Sequence, residues 1–268
     1  MIKASELQQR ANVVGVRDQQ IEKDYILSWI LCGISKHELL SKLLVFKGGT
    51  VLKKVYFEDY RFSEDLDFTM LNSEISNELI FSTFKEVFDI IKAEANIPLD
   101  IKDNNEHEDG GINFYISYTG PLGGLGNNKR VKVDISRNEI MVFEPMLNSV
   151  FISYSDVEEH RLLCYSLEEV MVEKMRSIMQ RMQARDFYDL WYLLDVHKMD
   201  MSFYMNEFKA KCYSKKLSHT NFPTKLIERL PQYKGRWKSS MSEQIKNLPD
   251  FDQVEREVIR GIKKMNFD

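Results

Sequence analysis

The sequence predicts an α+β fold, with a mixed-sheet domain over residues 1–155 and a helical domain over 156–268. Three observations carry this. In the first half, short apolar runs bounded by glycine or alternating with polar residues read as strands, and amphipathic stretches between them read as helices. Beyond about residue 155 the pattern is almost wholly of helical period. In that second half Ser166 followed by Glu169 has the spacing of a capping box, a helix-start signal.

The elements follow in order. Ser5 with Gln8 predicts a capping box and a short first helix. A second helix starts near Arg17-Asp18, with Ile21, Tyr25, Leu27, Ile30 and Leu31 as its broad apolar face. Leu43-Leu44-Val45-Phe46, ending at Gly48-Gly49, reads as a buried strand, and Val51 to Tyr56 as the helix after the glycines. Leu66-Asp67-Phe68-Thr69 is the next strand. A long amphipathic helix runs from about Asn77 to Glu94, with Ile80, Phe84, Val87, Phe88 and Ile91 at helical spacing. Phe114 to Tyr118 and Arg130 to Ile135 read as a strand pair, joined by a mobile glycine-rich connection from Gly120 to Asn128. The helix opened by Ser166 reaches about Met182, and Asp186 is expected to cap a following helix through His197.

Bulk properties exclude several function classes. The 268 residues carry a net charge of -4, so nucleic acid could be bound only through a local basic patch. Cys32, Cys164 and Cys212 are far apart and show neither a disulfide framework nor zinc spacing, which fits a reducing, cytoplasmic setting. The start is polar, with no secretory segment, and no apolar run approaches the roughly 18 residues of a membrane span.

Chemistry concentrates between Phe46 and Phe68. Gly48-Gly49-Thr50 sits between a strand and a helix, where bare N–H groups and the helix start can hold a phosphate, with Lys47 adding charge. A plain tight turn is the alternative, and the order of residues is not that of a Walker A loop. Asp65 and Asp67 are two apart, so on a strand their carboxylates share a face about 6–7 Å apart. Such a pair repels itself unless a cation lies between, and Mg²⁺ (or Mn²⁺) favours that oxygen-rich setting; a solvated strand end is the alternative. Asp134, in Val131-Lys132-Val133-Asp134-Ile135, faces away from the apolar side of its strand. If its strand neighbours the first, three carboxylates converge, as metal-assisted phosphoryl displacement requires. Ser63 precedes Asp65 by two and shares its expected face.

Gly48-Gly49-Thr50 with Arg61-Phe62-Ser63-Glu64-Asp65-Leu66-Asp67-Phe68 resembles the first motif of the AbiEii/AbiGii toxins, nucleotidyltransferase-fold toxins of bacterial toxin–antitoxin and abortive-infection systems. The resemblance extends upstream to Ile21-Glu22-Lys23-Asp24-Tyr25-Ile26-Leu27. Downstream it takes in Leu167-Glu168-Glu169, Glu173-Lys174-Met175-Arg176 and Arg185-Asp186-Phe187-Tyr188-Asp189-Leu190. It implies a polymerase-β-like nucleotidyltransferase domain, with catalytic acids at Asp65 and Asp67, a lysine at Lys174 and a late aspartate at Asp186. Asp134 is expected to complete the acid and metal set. It further implies an NTP substrate, an RNA acceptor such as the tRNA 3′ end, a divalent metal, a separately encoded antitoxin, and Ser63 as a possible phosphorylation target whose added charge would oppose triphosphate binding. Protein nucleotidylation and non-catalytic GTP sensing are the alternatives.

From the residues themselves, Lys174 could reach a triphosphate as a point charge or simply lie along a helix surface. Arg181 and Arg185 could add phosphate contacts or form a solvated helix end, and Asp186 could orient Lys174. The run Glu22-Lys23-Asp24 reads by itself as a solvated face, whereas the resemblance implies an unassigned role near the site. Two basic clusters, Lys209, Lys211, Lys215 and Lys216, and Lys225, Arg229, Lys234, Arg236 and Lys238 with Tyr233 and Trp237, suit either single-stranded RNA or a bundle surface with core aromatics.

Overall fold

Alternation of Leu66, Phe68 and Met70 with Asp65, Asp67 and Thr69 makes the central strand of this protein two-faced, and the architecture is built around it. The computed structural model describes residues 1–108, 110–124 and 129–267. They form two units, one of Met1–Glu139 with Pro145–Tyr165, the other of Ile140–Glu144 with Ser166–Asp268.

The first unit runs α1 (Ala4–Val14), α2 (Asp18–Lys36), α3 (Glu38–Leu43), β1 (Leu44–Lys47) and α4 (Gly48–Val51), which continues into a π-turn, Leu52–Tyr56. There follow β2 (Asp65–Met70), α5 (Asn77–Ala95), β3 (Leu99–Glu106), β4 (Ile112–Tyr118), β5 (Arg130–Ser136), β6 (Met146–Ser149) and β7 (Arg161–Cys164). The strands form one mixed sheet in the order β3-β4-β5-β2-β1-β7-β6, with β2 at its centre. β2 is antiparallel to β1 and parallel to β5, and β1 is parallel to β7.

One sheet face is apolar and fully buried: Phe46, Leu66, Phe68, Phe114, Val131, Val133 and Ile135 have no exposed surface. Sequestering one such side chain stabilises the fold by about 1.5–3 kcal/mol. Helix α5 packs on this face through Phe84, whose ring meets Phe114 edge-on at 5.0 Å. Helix α2 lies against α5, closely enough that a Cβ on Gly33 would fall 2.8 Å from side-chain carbons of Val87 and Ile91. With 14 of its 19 residues buried, α2 is a core helix rather than the one-sided helix expected from its sequence.

Several expectations are corrected. Ser5 is not a cap: α1 begins at Ala4, and Lys3 is its N-cap without a side-chain bond. The entry is set instead by buried Ile2, whose N–H donates to Tyr25 at 3.3 Å. β7 lies beyond residue 155, in the stretch read as helical; four residues, Arg-Leu-Leu-Cys, are too short to show a period. β3 is an edge strand of mostly exposed polar residues, held to β4 by backbone pairing that hydrophobic patterning does not reveal. Of the glycine-rich connection, residues 125–128 lie outside the described residues.

The second unit contains α6 (Leu167–Gln180), α7 (Ala184–Trp191), α8 (Met205–Ser214), α9 (Phe222–Met241) and α10 (Phe251–Ile262). Ser166 caps α6 by accepting the Glu169 N–H at 3.2 Å. The Glu169 carboxylate does not close a capping box; it accepts from the N–H groups of Val142 and Phe143, both at 2.8 Å. Phe187 of α7 stacks on Tyr233 of α9 at 5.1 Å and touches Trp237 and Phe251, forming an aromatic core.

Gly33→Val forces a branched side chain into the α2–α5 contact. It is expected to lower unfolding free energy by about 1–3 kcal/mol in urea melts followed by circular dichroism.

Candidate active site

β2 carries the acids. Leu66 and Phe68 are driven into the core, so Asp65 and Asp67 are left together on the opposite face, each half-buried. β5 lies directly alongside, with Asp67 paired in register to Asp134, Asp65 to Lys132 and Thr69 to Ser136. All six side chains therefore belong to one polar sheet face.

The glycine turn is fixed to the same strand. Gly48 follows Lys47, which pairs in register with Asp67 across the β1–β2 ladder. At Gly48 the backbone takes φ +80°, open to glycine and strained for other residues. A Cβ there would fall 2.2 Å from the Asp67 Oδ2, so the chain passes against that carboxylate with no room for a side chain. Thr50 and Ser63 are buried and lock the turn to β2: Thr50 Oγ1 lies 2.5 Å from the Asp65 carbonyl and 2.7 Å from Ser63 Oγ. A carbonyl only accepts, so Thr50 donates to it and Ser63 donates to Thr50. Gly49 stands beside them, in the first turn of α4.

Two residues expected to act through their charge are held by local partners here. Lys47 is buried, and its ammonium is held 2.5 Å from Glu139 Oε2 and 2.9 Å from Ser136 Oγ, so its charge is balanced by an acid rather than offered to a phosphate. The three acids do not form a ready-made cage either. Among the described residues no group of three or more His, Cys, Asp or Glu side chains is gathered for a metal ion. Asp134 is drawn aside: its Oδ2 lies 3.3 Å from Lys132 Nζ and 3.7 Å from His107 Nε2. Backbone register thus brings Asp134 beside Asp67, and side-chain pairing turns its carboxylate toward local cations. What remains fits a hard cation in its donor chemistry: two carboxylates on one strand face, oxygen donors only, beside a turn stripped of side chain.

The second unit holds Lys174 in a separate arrangement. Its ammonium lies 2.8 Å from carboxylate oxygens of both Asp186 and Asp189, and all three residues are buried. Arg181, largely exposed, binds Asp186 at 2.7 and 3.0 Å. Asp186 is therefore not a cap; Gln183 occupies the N-cap of α7, and Asp186 points inward from the first turn. Burial pushes the Asp186 carboxyl up, but Lys174 and Arg181 pull harder and hold it below the usual carboxylate range. The second partner, Asp189, follows from the i, i+3 spacing that puts both aspartates on one helix face. Arg185 is partly exposed in the same first turn.

The structure decides three further sequence readings, one against the expected solvated face and two for the bundle alternative. Glu22 and Asp24 are buried, not a solvated face. Tyr233 and Trp237 are buried in the aromatic core, and Trp237 donates to the Pro249 carbonyl at 2.9 Å, so neither can stack on a base. Lys211 is buried and paired with Glu169 at 2.6 Å and Glu173 at 3.2 Å.

Comparison with known proteins supplies a family and a fold. A family model described as the nucleotidyl transferase AbiEii toxin of type IV toxin–antitoxin systems matches residues 29–257. The fold is similar to that of MenT4, a nucleotidyltransferase toxin from Mycobacterium tuberculosis H37Rv, at TM-score 0.71 and 16% identity, covering 99% of this chain and 91% of that one. It is also similar to JHP933 from Helicobacter pylori, at TM-score 0.58 and 16% identity, covering 93% of this chain and 92% of the other. No curated protein sequence matches the chain.

The Asp186 pairing has a pH signature. A carboxyl depressed in the folded state contributes stability above its unfolded value, 3.8, and loses it as pH falls through the lower folded value. Asp186→Asn is expected to cost about 1–3 kcal/mol at neutral pH and to flatten the decline in Tm below about pH 4, read from thermal melts between pH 7 and pH 2.5.

Proposed function

We propose a specific reaction for this chain, which belongs to the AbiEii nucleotidyltransferase toxin family of type IV toxin–antitoxin systems: transfer of a nucleotide from an NTP to an RNA acceptor, the tRNA 3′ end first among them. Transferase activity and a separately encoded antitoxin come with the family. No helix among the described residues is long and apolar enough to cross a membrane.

The observation that supports the reading is the seating of Gly48 against Asp67, a turn suited to an anion next to a carboxylate suited to a cation. Asp65 and Asp67 would hold Mg²⁺ or Mn²⁺. When bound, that ion neutralises phosphate charge and polarises the α-phosphate. The N–H groups of Gly48, Gly49 and Thr50 receive the triphosphate oxygens. Ser63 and Thr50 keep that turn in place. The acceptor hydroxyl oxygen bonds to the α-phosphorus, the bond to the bridging oxygen breaks, and pyrophosphate leaves with the electron pair. Asp134, beside Asp67 in the ladder, takes the hydroxyl proton once its carboxylate turns from Lys132 and His107 to the acceptor. Within the second unit, Lys174 is locked in one orientation by Asp186 and Asp189.

An RNA acceptor is supported by the end of α8. Lys209, Lys215 and Lys216 have no acid partner among the described residues, unlike Lys225, Lys234 and Lys264. Tyr213 between them is 87% exposed. Unpaired cations around a bare aromatic ring suit phosphates and a stacked base.

Incubation with each α-labelled NTP and Mg²⁺, with total tRNA or cell protein, tests this reading. Label is expected on RNA, with Asp67→Ala reducing it at least about hundredfold. Label on protein instead would replace the acceptor, and NTP binding without pyrophosphate release would mark a nucleotide-sensing regulator. Gly48→Ala is expected to reduce transfer at least about tenfold, because the side chain displaces the Asp67 carboxylate and strains the turn by about 1–2 kcal/mol. Lys215→Ala should weaken RNA binding and lower its logarithmic salt slope by about 1, leaving NTP affinity unchanged in filter-binding titrations.

A further inference from the structure

We infer that Glu22, Lys23 and Asp24 are positioning residues that hold, from one turn of α2, the three segments framing the acid strand. The inference rests on the nucleotidyltransferase reading for its catalytic consequence and on geometry alone for its structural one.

Asp24 reaches the segment behind the glycine turn. It is 1% exposed, lies 2.8 Å from Lys54 Nζ and accepts from the Tyr154 hydroxyl at 2.8 Å. Lys54, equally buried, also donates to Ser28 Oγ at 2.8 Å and to the Asp24 carbonyl at 3.1 Å. Lys54 is the third residue of the π-turn Leu52–Tyr56, continuous with α4, whose first residue is Gly48. Fixing Lys54 fixes one end of a short rigid piece whose other end lies against Asp67. A π-turn is an unfavourable conformation that survives where surrounding contacts impose it. Lys23 pairs with Glu64 at 3.1 Å, and Glu64 immediately precedes Asp65.

Glu22, also 1% exposed, accepts from the Leu122 N–H at 2.9 Å and pairs with Lys129 at 2.7 Å. It fills the space beside Gly120, where a Cβ would fall 2.6 Å from Oε1. Lys129 immediately precedes β5, the strand carrying Asp134. One residue each therefore anchors the approach to the glycine turn, to Asp65 and to the Asp134 strand. Successive helix residues point about 100° apart, so three in a row reach three directions only from a helix surrounded by protein, as α2 is.

Burial of ionised groups makes poor sense as stabilisation alone. Replacing a buried ion pair with apolar residues of similar size is often neutral or stabilising, whereas the pair fixes one geometry. Burial pushes the Asp24 carboxyl up, yet Lys54 pulls it net below its ordinary value, while burial holds the Lys54 ammonium below its own.

The test uses the full chain and two readouts, hydrogen exchange by mass spectrometry and the NTP KM against the acceptor KM. Variants are Lys23→Gln, Glu22→Gln, Asp24→Asn, the paired replacement Asp24→Leu with Lys54→Met, which leaves no buried charge unpaired, and Ile30→Val as an apolar control in α2. Asp24→Asn and the paired variant are expected to speed exchange of residues 48–57 at least about tenfold with β3 and β4 unchanged. Lys23→Gln should loosen residues 62–66, and Glu22→Gln residues 119–122. The paired variant should raise the NTP KM roughly tenfold with the acceptor KM unchanged and melting within a few degrees of wild type, whereas Ile30→Val moves melting but not the KM. Exchange rising evenly through the first unit, or an unchanged NTP KM in the folded paired variant, overturns the inference. Segment-specific loosening in a chain that transfers no nucleotide would instead uphold the anchoring and overturn the transferase reading.

Discussion

The contact between the Gly48 backbone and the Asp67 carboxylate is the constraint on which the first unit depends. β1 must pair with β2 in the register that sets Lys47 opposite Asp67, because that pairing delivers the next residue over the carboxylate. Glycine at φ +80° is then the residue that passes without collision. The register is itself imposed from the other face, where Phe46 pairs with Phe68 and their rings lie 5.6 Å apart in the core. Hydrophobic burial on one side of the sheet thus places polar chemistry on the other.

Most buried charge is managed by pairing, with Lys53, which donates to the Glu58 carbonyl, set apart from the rest. Buried Lys47, Lys54, Lys174 and Lys211 each have a carboxylate within 2.8 Å, as burying an ammonium requires. Lys209, Lys215 and Lys216, by contrast, have no acid partner among the described residues and flank exposed Tyr213 in the chain, and that contrast marks the end of α8 as a candidate binding face. In the same way Tyr233 and Trp237, which look like base-stacking residues in the sequence, are core, while Tyr213 is exposed. A basic-aromatic composition does not distinguish these outcomes, because the burial of each ring is decided by which helix faces meet.

Much of the site was legible because it is local. Strand alternation from Leu66 to Met70 assigned Asp65 and Asp67 to one face, and a glycine pair between an apolar run and a helix marked the turn. The Ser166 cap was likewise visible, since a cap and its recipient N–H are three residues apart. Readings failed where a side chain has a choice of distant partner. Asp186 looked both like a cap and like a partner for Lys174, and only the folded chain shows that the pairing is made and the cap is not. Glu22 and Asp24 looked solvated because their partners, Lys129 and Lys54, are 107 and 30 residues away.

By itself the sequence determined which residues alternate, where helices can begin, that the acids of β2 share a face, and a family resemblance that the family match supports. Those properties depend on backbone period and short-range steric limits, which each segment carries wherever it lies. Tertiary structure decided which charges neutralise one another, that the Asp134 carboxylate turns toward Lys132 and His107, and that an all-round buried α2 can send three consecutive side chains to three separate segments. The physical reason is that Coulomb attraction and desolvation depend on distance in space, and residues far apart in the chain become neighbours only when the sheet and its helices pack.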